Sequence, residues 1–420
     1  MTDLVIIGGG MCGLVLAGLA GGSGFRTILL EKTDRVGKKI LATGNGRCNL
    51  ANRDFSIEHY HGSALEQAKR VFELYGQDRI EAFWEENGIT YLEEEGRYYP
   101  RSLQASSVLN VLRRSISRYE LTGSVKVLTL SPATKITYDA KKKVFRVTVR
   151  TETNTQNILE TRNVVLTAGG KASPRLGSAG EGLNIAENMG IRVTELRPGL
   201  CRLLSKDPMV KRLAGVRIKA KVSLICGKEI LSSMSDEILF TDDGVSGPAV
   251  IEQSRLAGEL IQAEKRVRIG IDLCEEKSKG ELFALLEKRS RSLTELSAED
   301  ALEGFIHKKL IPEVLRVSGI DRKENCGKLN RKQLGSLAET LKDLPVTDLS
   351  LDSFREAQVT IGGIAGKELG EGLMSGKFPG LFFGREIVDL DGDCGGYNLM
   401  WAVASALWIH DHLVEEKRNG

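Results

Sequence analysis

The stretch that decides the fold is residues 4–31, LVIIGGGMCGLVLAGLAGGSGFRTILLE. An apolar strand, a glycine-rich turn, an apolar helix and a second strand follow one another, which predicts a βαβ unit. Gly8, Gly10 and Gly13 form GxGxxG at the strand-to-helix junction, where they permit a tight turn, close approach to a diphosphate and close helix packing. Glu31 ends the second strand, where a carboxylate accepts hydrogen bonds from an adenosine ribose. The pattern predicts dinucleotide binding; the alternative is that the glycines only relieve crowding.

Glycine is concentrated in three separate clusters. Residues 8–46, 169–182 and 362–396 hold 11, 5 and 11 of the 46 glycines. Each cluster contains the end of a predicted strand, where open α/β folds bind their ligands. Contributions from both ends of the chain indicate a ligand longer than a mononucleotide. A helix that begins after Gly396 would direct its dipole at the anionic N1/O2 edge of a reduced flavin, which favours FAD over NAD as the bound cofactor.

Composition excludes several classes of protein. The 59 basic and 56 acidic residues are interspersed and give a net charge of +3, so we expect no nucleic-acid partner. Seven scattered cysteines without a CxxC pair and five scattered histidines predict no metal site and favour a cytoplasmic protein with reduced thiols. Residues 4–25 carry no charge, but their eight glycines argue against a membrane span.

The order of predicted elements indicates an interrupted first domain. Residues 64–88 and 103–119 have a helical pattern, and short strands follow from residue 125 onwards. We expect residues 1–195 and 358–420 to form the two parts of an FAD-binding domain. The interruption divides into an inserted β domain, residues 196–275 and 345–357, and a helical subdomain, residues 276–344.

Two polar loops are candidates for ligand contacts. Residues 35–49, RVGKKILATGNGRCN, are too polar and glycine-rich for the core, and their cations, hydroxyl and amides suit phosphate and ring-edge contacts. A solvated basic surface loop is the alternative. Residues 384–398, GREIVDLDGDCGGYN, lack the spacing and closing glutamate of an EF-hand calcium loop. They predict a helix N-terminus that faces an anionic part of the ligand, although a simple helix start is the alternative.

Together with residues 240–249 (FTDDGVSGPA) and 359–364 (VTIGGI), these motifs resemble those of the bacterial HI0933-like (BaiN/YhiN) flavoproteins, sometimes called the aminoacetone oxidase family. The resemblance covers nearly the whole chain, and the elements GNGRCN and GGYN are far more specific than GxGxxG. It implies an α/β fold with a Rossmann-like FAD-binding domain of the glutathione-reductase superfamily, an inserted β-barrel-like domain and a helical subdomain. The sequence departs from the family pattern at two places. Arg385 stands between Gly384 and Glu386, where the family usually has Ala-Gly-Glu or Gly-Glu. Asp242-Asp243 stands where His-Tyr is common.

The resemblance also implies non-covalent FAD and its contacts. The diphosphate and adenosine would meet Gly8, Gly10, Cys12, Gly13, Glu31, Lys32 and the backbone of Val127. The phosphates and flavin would meet Lys39, Thr43, Gly44, Gly46, Arg47, Cys48 and Asn49. Ala168 and Gly169 would line the cofactor where the chain returns to the site. The ribityl and pyrimidine end would meet Gly384, Glu386, Asp389, Gly396, Tyr397 and Asn398.

The predicted activity is that of an FAD-dependent oxidoreductase that transfers hydride between flavin and a small organic substrate. No second dinucleotide fingerprint follows the first, so NAD(P)H would dock transiently as donor. The family resemblance suggests reduction of a carbon–carbon double bond in an apolar or polycyclic substrate. The alternatives are a flavin oxidase that uses oxygen and a flavin-bound protein that modifies or accompanies RNA. Arg47, His61 and Tyr397 are the catalytic candidates, chosen by motif position or chemistry alone.

Overall fold

A computed structural model describes residues 2–151 and 155–419 of the chain. The strands are β1 (Thr2–Ile7), β2 (Thr27–Leu30), β3 (Ala51–Asn52), β4 (Tyr60–His61), β5 (Tyr91–Glu94), β6 (Arg97–Pro100), β7 (Val125–Leu128), β8 (Ala133–Asp139), β9 (Val144–Arg150), β10 (Gln156–Leu166), β11 (Arg197–Gly199), β12 (Leu203–Ser205), β13 (Arg217–Cys226), β14 (Glu229–Phe240), β15 (Gly244–Ser246), β16 (Val267–Asp272), β17 (Leu344–Val346), β18 (Leu349–Leu351), β19 (Val359–Ile361), β20 (Leu381–Phe383) and β21 (Asp391–Gly392). The α-helices are α1 (Met11–Gly22), α2 (Lys38–Ala42), α3 (Leu65–Leu74), α4 (Gln77–Glu86), α5 (Ala105–Leu121), α6 (Glu181–Asn188), α7 (Pro208–Arg212), α8 (Pro248–Ile251), α9 (Ser254–Gln262), α10 (Lys279–Ser292), α11 (Ile311–Ser318), α12 (Arg331–Lys342) and α13 (Tyr397–Asn419).

Two compact units make up the chain: Met1–Gly199 with Gln358–Gly420, and Leu200–Ala357. In the first unit, a sheet runs in the order β7-β2-β1-β10-β9-β8, and β20 also pairs with β10. The strands β7, β2, β1, β10 and β20 pair in parallel, so their carboxyl ends share one edge. This arrangement confirms the predicted Rossmann-like α/β fold.

Strand β10 is long enough to belong to two different ladders. Residues 156–161 pair antiparallel with β9, and residues 161–166 pair in parallel with β1. Its last three residues also pair in parallel with β20, on the side opposite β1. One strand thereby joins the dinucleotide-binding half of the sheet to its antiparallel extension.

Helix α13 is buried along most of its length, as expected for a helix that is apolar on all sides. It packs against α1, the other predominantly apolar helix of this unit. Trp401 is 2% exposed and Trp408 is 4% exposed. In residues 2–151 and 155–419, no helix is both long and apolar enough to cross a membrane.

The helical pattern predicted over residues 64–88 forms as two helices, because the chain breaks between α3 and α4. Tyr75 leaves the helical conformation, and its hydroxyl donates to Asp411 at 2.8 Å. Gly76 is extended, with ψ of −175°, and becomes the N-cap of α4. A tertiary contact and a glycine therefore override the local helical pattern.

The second unit has its own apolar core beneath an antiparallel sheet. The strand order is β17-β16-β13-β14-β15-β12-β18. Its two edge strands, β17 and β18, are separated by only Thr347 and Asp348, so the sheet curves and brings the adjacent ends of these strands close together. That curvature matches the predicted barrel-like character. The division of this region into a β domain and a helical subdomain at residues 276 and 344 stays a prediction.

Candidate cofactor-binding site

The glycine turn after β1 brings α1 against the sheet. A Cβ atom on Gly13 would lie 2.0 Å from the carbonyl oxygen of Gly8, so only glycine permits this contact. Gly8 has φ of +114°, and a Cβ there would lie 2.5 Å from the carbonyl oxygen of Thr167. Gly10, the N-cap of α1, lines a cavity. The first N–H groups of α1, which have no partner within the helix, therefore begin at the cavity wall.

This cavity measures about 420 Å³ and lies in the first unit, at the carboxyl ends of β1, β2 and β10. Seven of the predicted ligand residues line it: Gly8, Gly10, Glu31, Lys32, Lys39, Ala168 and Gly169. Sequence reasoning missed residues 131–134 and most of the wall from 176 to 188. The glycines at 177, 180 and 182 were the available signal for the second of these segments.

The other predicted contacts lie outside the cavity lining: Cys12, Gly13, Thr43, Gly44, Gly46, Arg47, Cys48, Asn49, Val127, Gly384, Glu386, Asp389, Gly396, Tyr397 and Asn398. Most belong to the two loops described below. Val127 lies in β7, opposite Leu29 of β2. Gly384 packs so closely on α1 that a Cβ there would lie 2.6 Å from the Cys12 Sγ.

Glu31 and Lys32 lie in the cavity wall at the end of β2. The Oε2 atom of Glu31 accepts a hydrogen bond from the Gly9 N–H at 3.0 Å, and its Oε1 atom accepts one from the Thr33 N–H at 2.7 Å. Glu31 therefore also fixes the glycine turn. Lys32 forms an ion pair with Glu181 in the first turn of α6.

Lys39 and Glu386, predicted to contact different parts of the ligand, meet in a buried ion pair. The Lys39 Nζ lies 2.8 Å from Oε2 and 3.0 Å from Oε1 of Glu386. Thr360 donates to Oε1 through its N–H and hydroxyl groups, at 3.1 and 3.2 Å. Burial alone would raise the pKa of Glu386, but Lys39 and the nearby Arg385 outweigh it and hold that pKa below its usual value.

The loop at residues 43–49 is shaped by left-handed backbone. Gly44, Asn45, Gly46 and Cys48 have φ values of +55°, +54°, +84° and +60°. Arg47 forms an ion pair with Glu94 of β5. This conformation explains why glycine recurs in the motif GNGRCN, since residues with side chains rarely adopt it.

The loop before α13 contacts this first loop directly. A Cβ atom on Gly396 would lie 2.6 Å from the carbonyl oxygen of Ala51 and 2.8 Å from Oδ1 of Asn49. The GGYN and GNGRCN motifs, 350 residues apart in the sequence, are therefore neighbours in space. Their proximity accords with the expectation that both approach one end of the same ligand.

Two predicted ligand residues of the second loop stabilise the loop itself. Asp389 Oδ2 accepts hydrogen bonds from the hydroxyl and N–H groups of Ser63, at 2.6 and 3.2 Å. Asn398 accepts from the Gly392 N–H at 3.0 Å and donates to the Gly392 carbonyl at 2.7 Å. These bonds fix the start of α13.

A chain of four titratable side chains lies beside the start of α13. The His59 Nε2 atom donates to Asp54 at 3.0 Å, its Nδ1 donates to Asp393 at 2.9 Å, and the Nε2 of His61 donates to Asp393 at 2.8 Å. The His59 ring stacks on Tyr397, with centroids 4.3 Å apart. The structure thus connects two catalytic candidates, His61 and Tyr397, through a pair of residues that sequence reasoning did not select.

The charge state of this network follows from its partners. Burial works to lower the pKa of His59, but its hydrogen bonds to Asp54 and Asp393 raise it overall. Burial works to raise the pKa of Asp393, but its hydrogen bonds to His61 and His59 lower it overall. Both ring nitrogens of His59 face carboxylates, an arrangement that favours the doubly protonated imidazolium over the neutral ring.

The two cysteines of the predicted site are buried thiols. Burial raises the pKa of Cys12 and of Cys48 to about 11, so both are protonated at neutral pH. The Cys12 Sγ lies 3.6 Å from the Ser405 hydroxyl. All seven cysteines of the chain are free.

The residues present fit FAD. At the helix N-terminus Gly10 lines the cavity, and within 4 Å a Cβ atom there would meet only Nη1 of Arg385, so the turn leaves room for a ligand. In the two adjoining loops, Arg47 Nε and Asn49 Oδ1 are buried without a hydrogen-bond partner among the described residues. Buried polar atoms of this kind need a partner that the protein does not supply, which a flavin edge can provide.

The fold and this site define an FAD-dependent oxidoreductase with a Rossmann-like FAD-binding domain. Residues 2–410 match the family described as HI0933-like protein Rossmann domain. The chain belongs to the HI0933-like family.

Named relatives align over almost the full chain. A 3-dehydro-bile acid delta(4,6)-reductase of Clostridium scindens is 33% identical over 96% of this chain and 97% of the relative. A ribosomal RNA dihydrouridine synthase of Escherichia coli is 27% identical over 99% of each chain. The solved 3-ketosteroid delta1-dehydrogenase of Sterolibacterium denitrificans shares the fold, with a TM-score of 0.52, 12% identity and 99% coverage of both chains.

Proposed function

We propose that this protein reduces a carbon–carbon double bond of a small apolar, ring-containing substrate, with NAD(P)H as transient electron donor. The observation that carries the proposal is the 33% identity, over nearly all of both chains, to a reductase named for a bile-acid substrate. Bound FAD would supply the hydride-transfer chemistry. The single dinucleotide fingerprint, at residues 8–13, supports a donor that binds transiently rather than in a domain of its own.

For the cofactor, we propose an extended position along the first unit. Its diphosphate would lie at the N-terminus of α1, and its adenosine would lie in the cavity beside Glu31 and Lys32. The flavin would lie toward the loops at residues 43–49 and 395–398. Three observations support this position: the cavity, the glycine turn and the contact between the two loops.

Saturation of a double bond needs a proton as well as a hydride. The network of Asp54, His59, Asp393 and His61 would supply it, because a cationic imidazole held between carboxylates can donate a proton and regain one along the network. His61 and Tyr397 therefore remain the preferred catalytic candidates. Arg47 is less suited, since a guanidinium stays protonated and this one pairs with Glu94.

A second candidate substrate is RNA. The relative named as a ribosomal RNA dihydrouridine synthase aligns over 99% of this chain. Dihydrouridine is uridine in which the ring carbon–carbon double bond is saturated, so that name also describes reduction of a double bond. The shared chemistry fits one flavin site with different substrates. We favour the small apolar substrate because identity to the bile-acid reductase is higher, 33% against 27%, and because the net charge is only +3.

An anaerobic experiment separates the candidates. Purified protein should be yellow, and NADH or NADPH should bleach its flavin absorbance near ~450 nm. We expect an apolar cyclic enone, such as an unsaturated 3-ketosteroid, to restore the colour in one turnover, and transcribed ribosomal RNA to leave it bleached. Rapid reoxidation by RNA alone would replace our proposal with the RNA candidate. Rapid reoxidation by air, with neither organic substrate active, would indicate an oxidase.

A further inference from the structure

Arg385 adopts a backbone conformation that disfavours a side chain. It follows β20 with φ of +64°, in the left-handed region that glycine occupies more easily. The indole N–H of Trp401 donates to its carbonyl oxygen at 3.2 Å and so holds the peptide in place. A large side chain retained in strained backbone beside a binding cavity suggests that the side chain has a use there.

The guanidinium of Arg385 is buried at the N-terminus of α1. The residue is 8% exposed and lines the cavity. Its Nη1 atom lies 3.1 Å from the place that a Cβ atom would take on Gly10, the N-cap of α1. Its Nε atom is buried without a hydrogen-bond partner among the described residues.

The neighbouring carboxylate of Glu386 offsets this charge only in part, because it is already paired with Lys39. Both oxygens of Glu386 are engaged by Lys39, and Thr360 donates twice to one of them. Two buried cations, Lys39 and Arg385, thus face one buried anion, and the positive end of the α1 dipole adds to the excess. An uncompensated buried cation is strongly unfavourable, so this place has a deficit of negative charge that an anionic ligand would correct.

We propose that Arg385 binds the diphosphate of FAD, opposite the backbone N–H groups of α1. This inference rests on the position proposed above for FAD in the cavity. A guanidinium presents parallel N–H donors that match two phosphate oxygens. The diphosphate would then be held from two sides, by the helix N-terminus on one and by the loop after β20 on the other.

Calorimetric titration of the full chain, freed of FAD, tests the inference with three ligands. All three contain adenosine: FAD adds the diphosphate and the flavin, ADP adds the diphosphate without a flavin, and adenosine lacks both. For Arg385→Gly and Arg385→Gln we expect the Kd values of FAD and ADP to rise about tenfold or more, as for loss of charge-assisted hydrogen bonds. The Kd of adenosine should change by less than about twofold.

Two controls separate binding from folding. Arg385→Gly relieves the left-handed backbone, so its apoprotein should melt at or above the wild-type temperature. Arg291→Gln removes an arginine whose side chain is 76% exposed in α10, and it should bind FAD and ADP as the wild type does.

The contrary results are distinct. Unchanged or tighter binding of FAD to both Arg385 variants overturns the inference and leaves the position of FAD intact. Weaker FAD binding with unchanged ADP binding also overturns it, because Arg385 would then contact the flavin instead. A wild type that binds neither FAD nor ADP overturns the proposed position of FAD and this inference with it.

Discussion

Lys39 Nζ lies within 3.0 Å of both carboxylate oxygens of Glu386, across 347 residues of sequence. The pair joins α2 to the loop after β20. Both side chains are buried, 13% and 8% exposed, so removal of either partner leaves the other as an isolated charge. The pair therefore links the two ends of the chain at the cavity.

Lys39→Met should lower the free energy of unfolding of the apoprotein by about 3–5 kcal/mol, as for breaking a buried ion pair. The double variant Lys39→Met/Glu386→Leu should lose less than the sum of the two single variants, because it leaves neither member of this pair without its partner. Urea unfolding at pH 7 measures these differences. Lys279→Met, at an exposed pair with Glu339, is the control and should cost at most about 1 kcal/mol. A Lys39→Met loss as small as that of the control would contradict the prediction.

His59 should make the stability of the protein depend on pH. Because Asp54 and Asp393 raise its folded pKa, the stabilisation is fully present below its unfolded pKa of about 6.5 and is lost as pH rises through the folded pKa. The wild type should therefore exceed His59→Gln in free energy of unfolding by more at about pH 5.5 than at about pH 9.

The matched control for this pH profile is His307→Gln, at an exposed histidine of the second unit. Its stability should follow the wild type across the same range. If the difference between wild type and His59→Gln were the same at both pH values, the imidazolium assigned to His59 would be wrong.

Gly13→Ala should abolish FAD binding. Its Cβ would lie 2.0 Å from a backbone carbonyl that cannot rotate away, so α1 must move from the turn. The variant should purify colourless, and circular dichroism should show whether it stays folded. Gly335→Ala in α12 meets nothing within 4 Å and should bind FAD normally, with stability raised by about 0.5–1 kcal/mol. Normal yellow colour in Gly13→Ala would show that the turn tolerates displacement.

The reactivity of each cysteine toward a thiol reagent should follow how deeply its side chain is buried. Cys12 and Cys48 are buried with raised pKa values, so a thiol reagent at pH 7.5 should label neither in the native protein. Cys226 and Cys394 are only partly buried and should react within minutes, whereas urea should expose all seven. Mass spectrometry of the labelled peptides assigns the sites. Fast native labelling of Cys12 would contradict the packing of α1.

The sequence predicted the elements whose causes are local. The strand, turn, helix and second strand of residues 4–31 follow from glycine placement and apolar runs, and they formed as expected. The role of Arg385 in the cavity wall could not be predicted, since it depends on how far a side chain reaches from one loop to α1. The bond between His59 and Asp393 spans 334 residues and depends on the pairing of β4 with β21. Contacts of this kind depend on how strands distant in the sequence pair with each other, which a local sequence pattern does not determine.

The parallel pairing of β10 with β20 has a consequence for biosynthesis. Residues 200–357 lie between the two strands and form a compact unit with its own core, so that unit emerges from the ribosome before β20 does. Because domains generally fold as units during synthesis, the inserted unit can fold while the first sheet still lacks an edge. With FAD in the position proposed above, cofactor capture would wait for the end of translation, and the nascent chain would spend most of its synthesis as an apoprotein with an incomplete sheet.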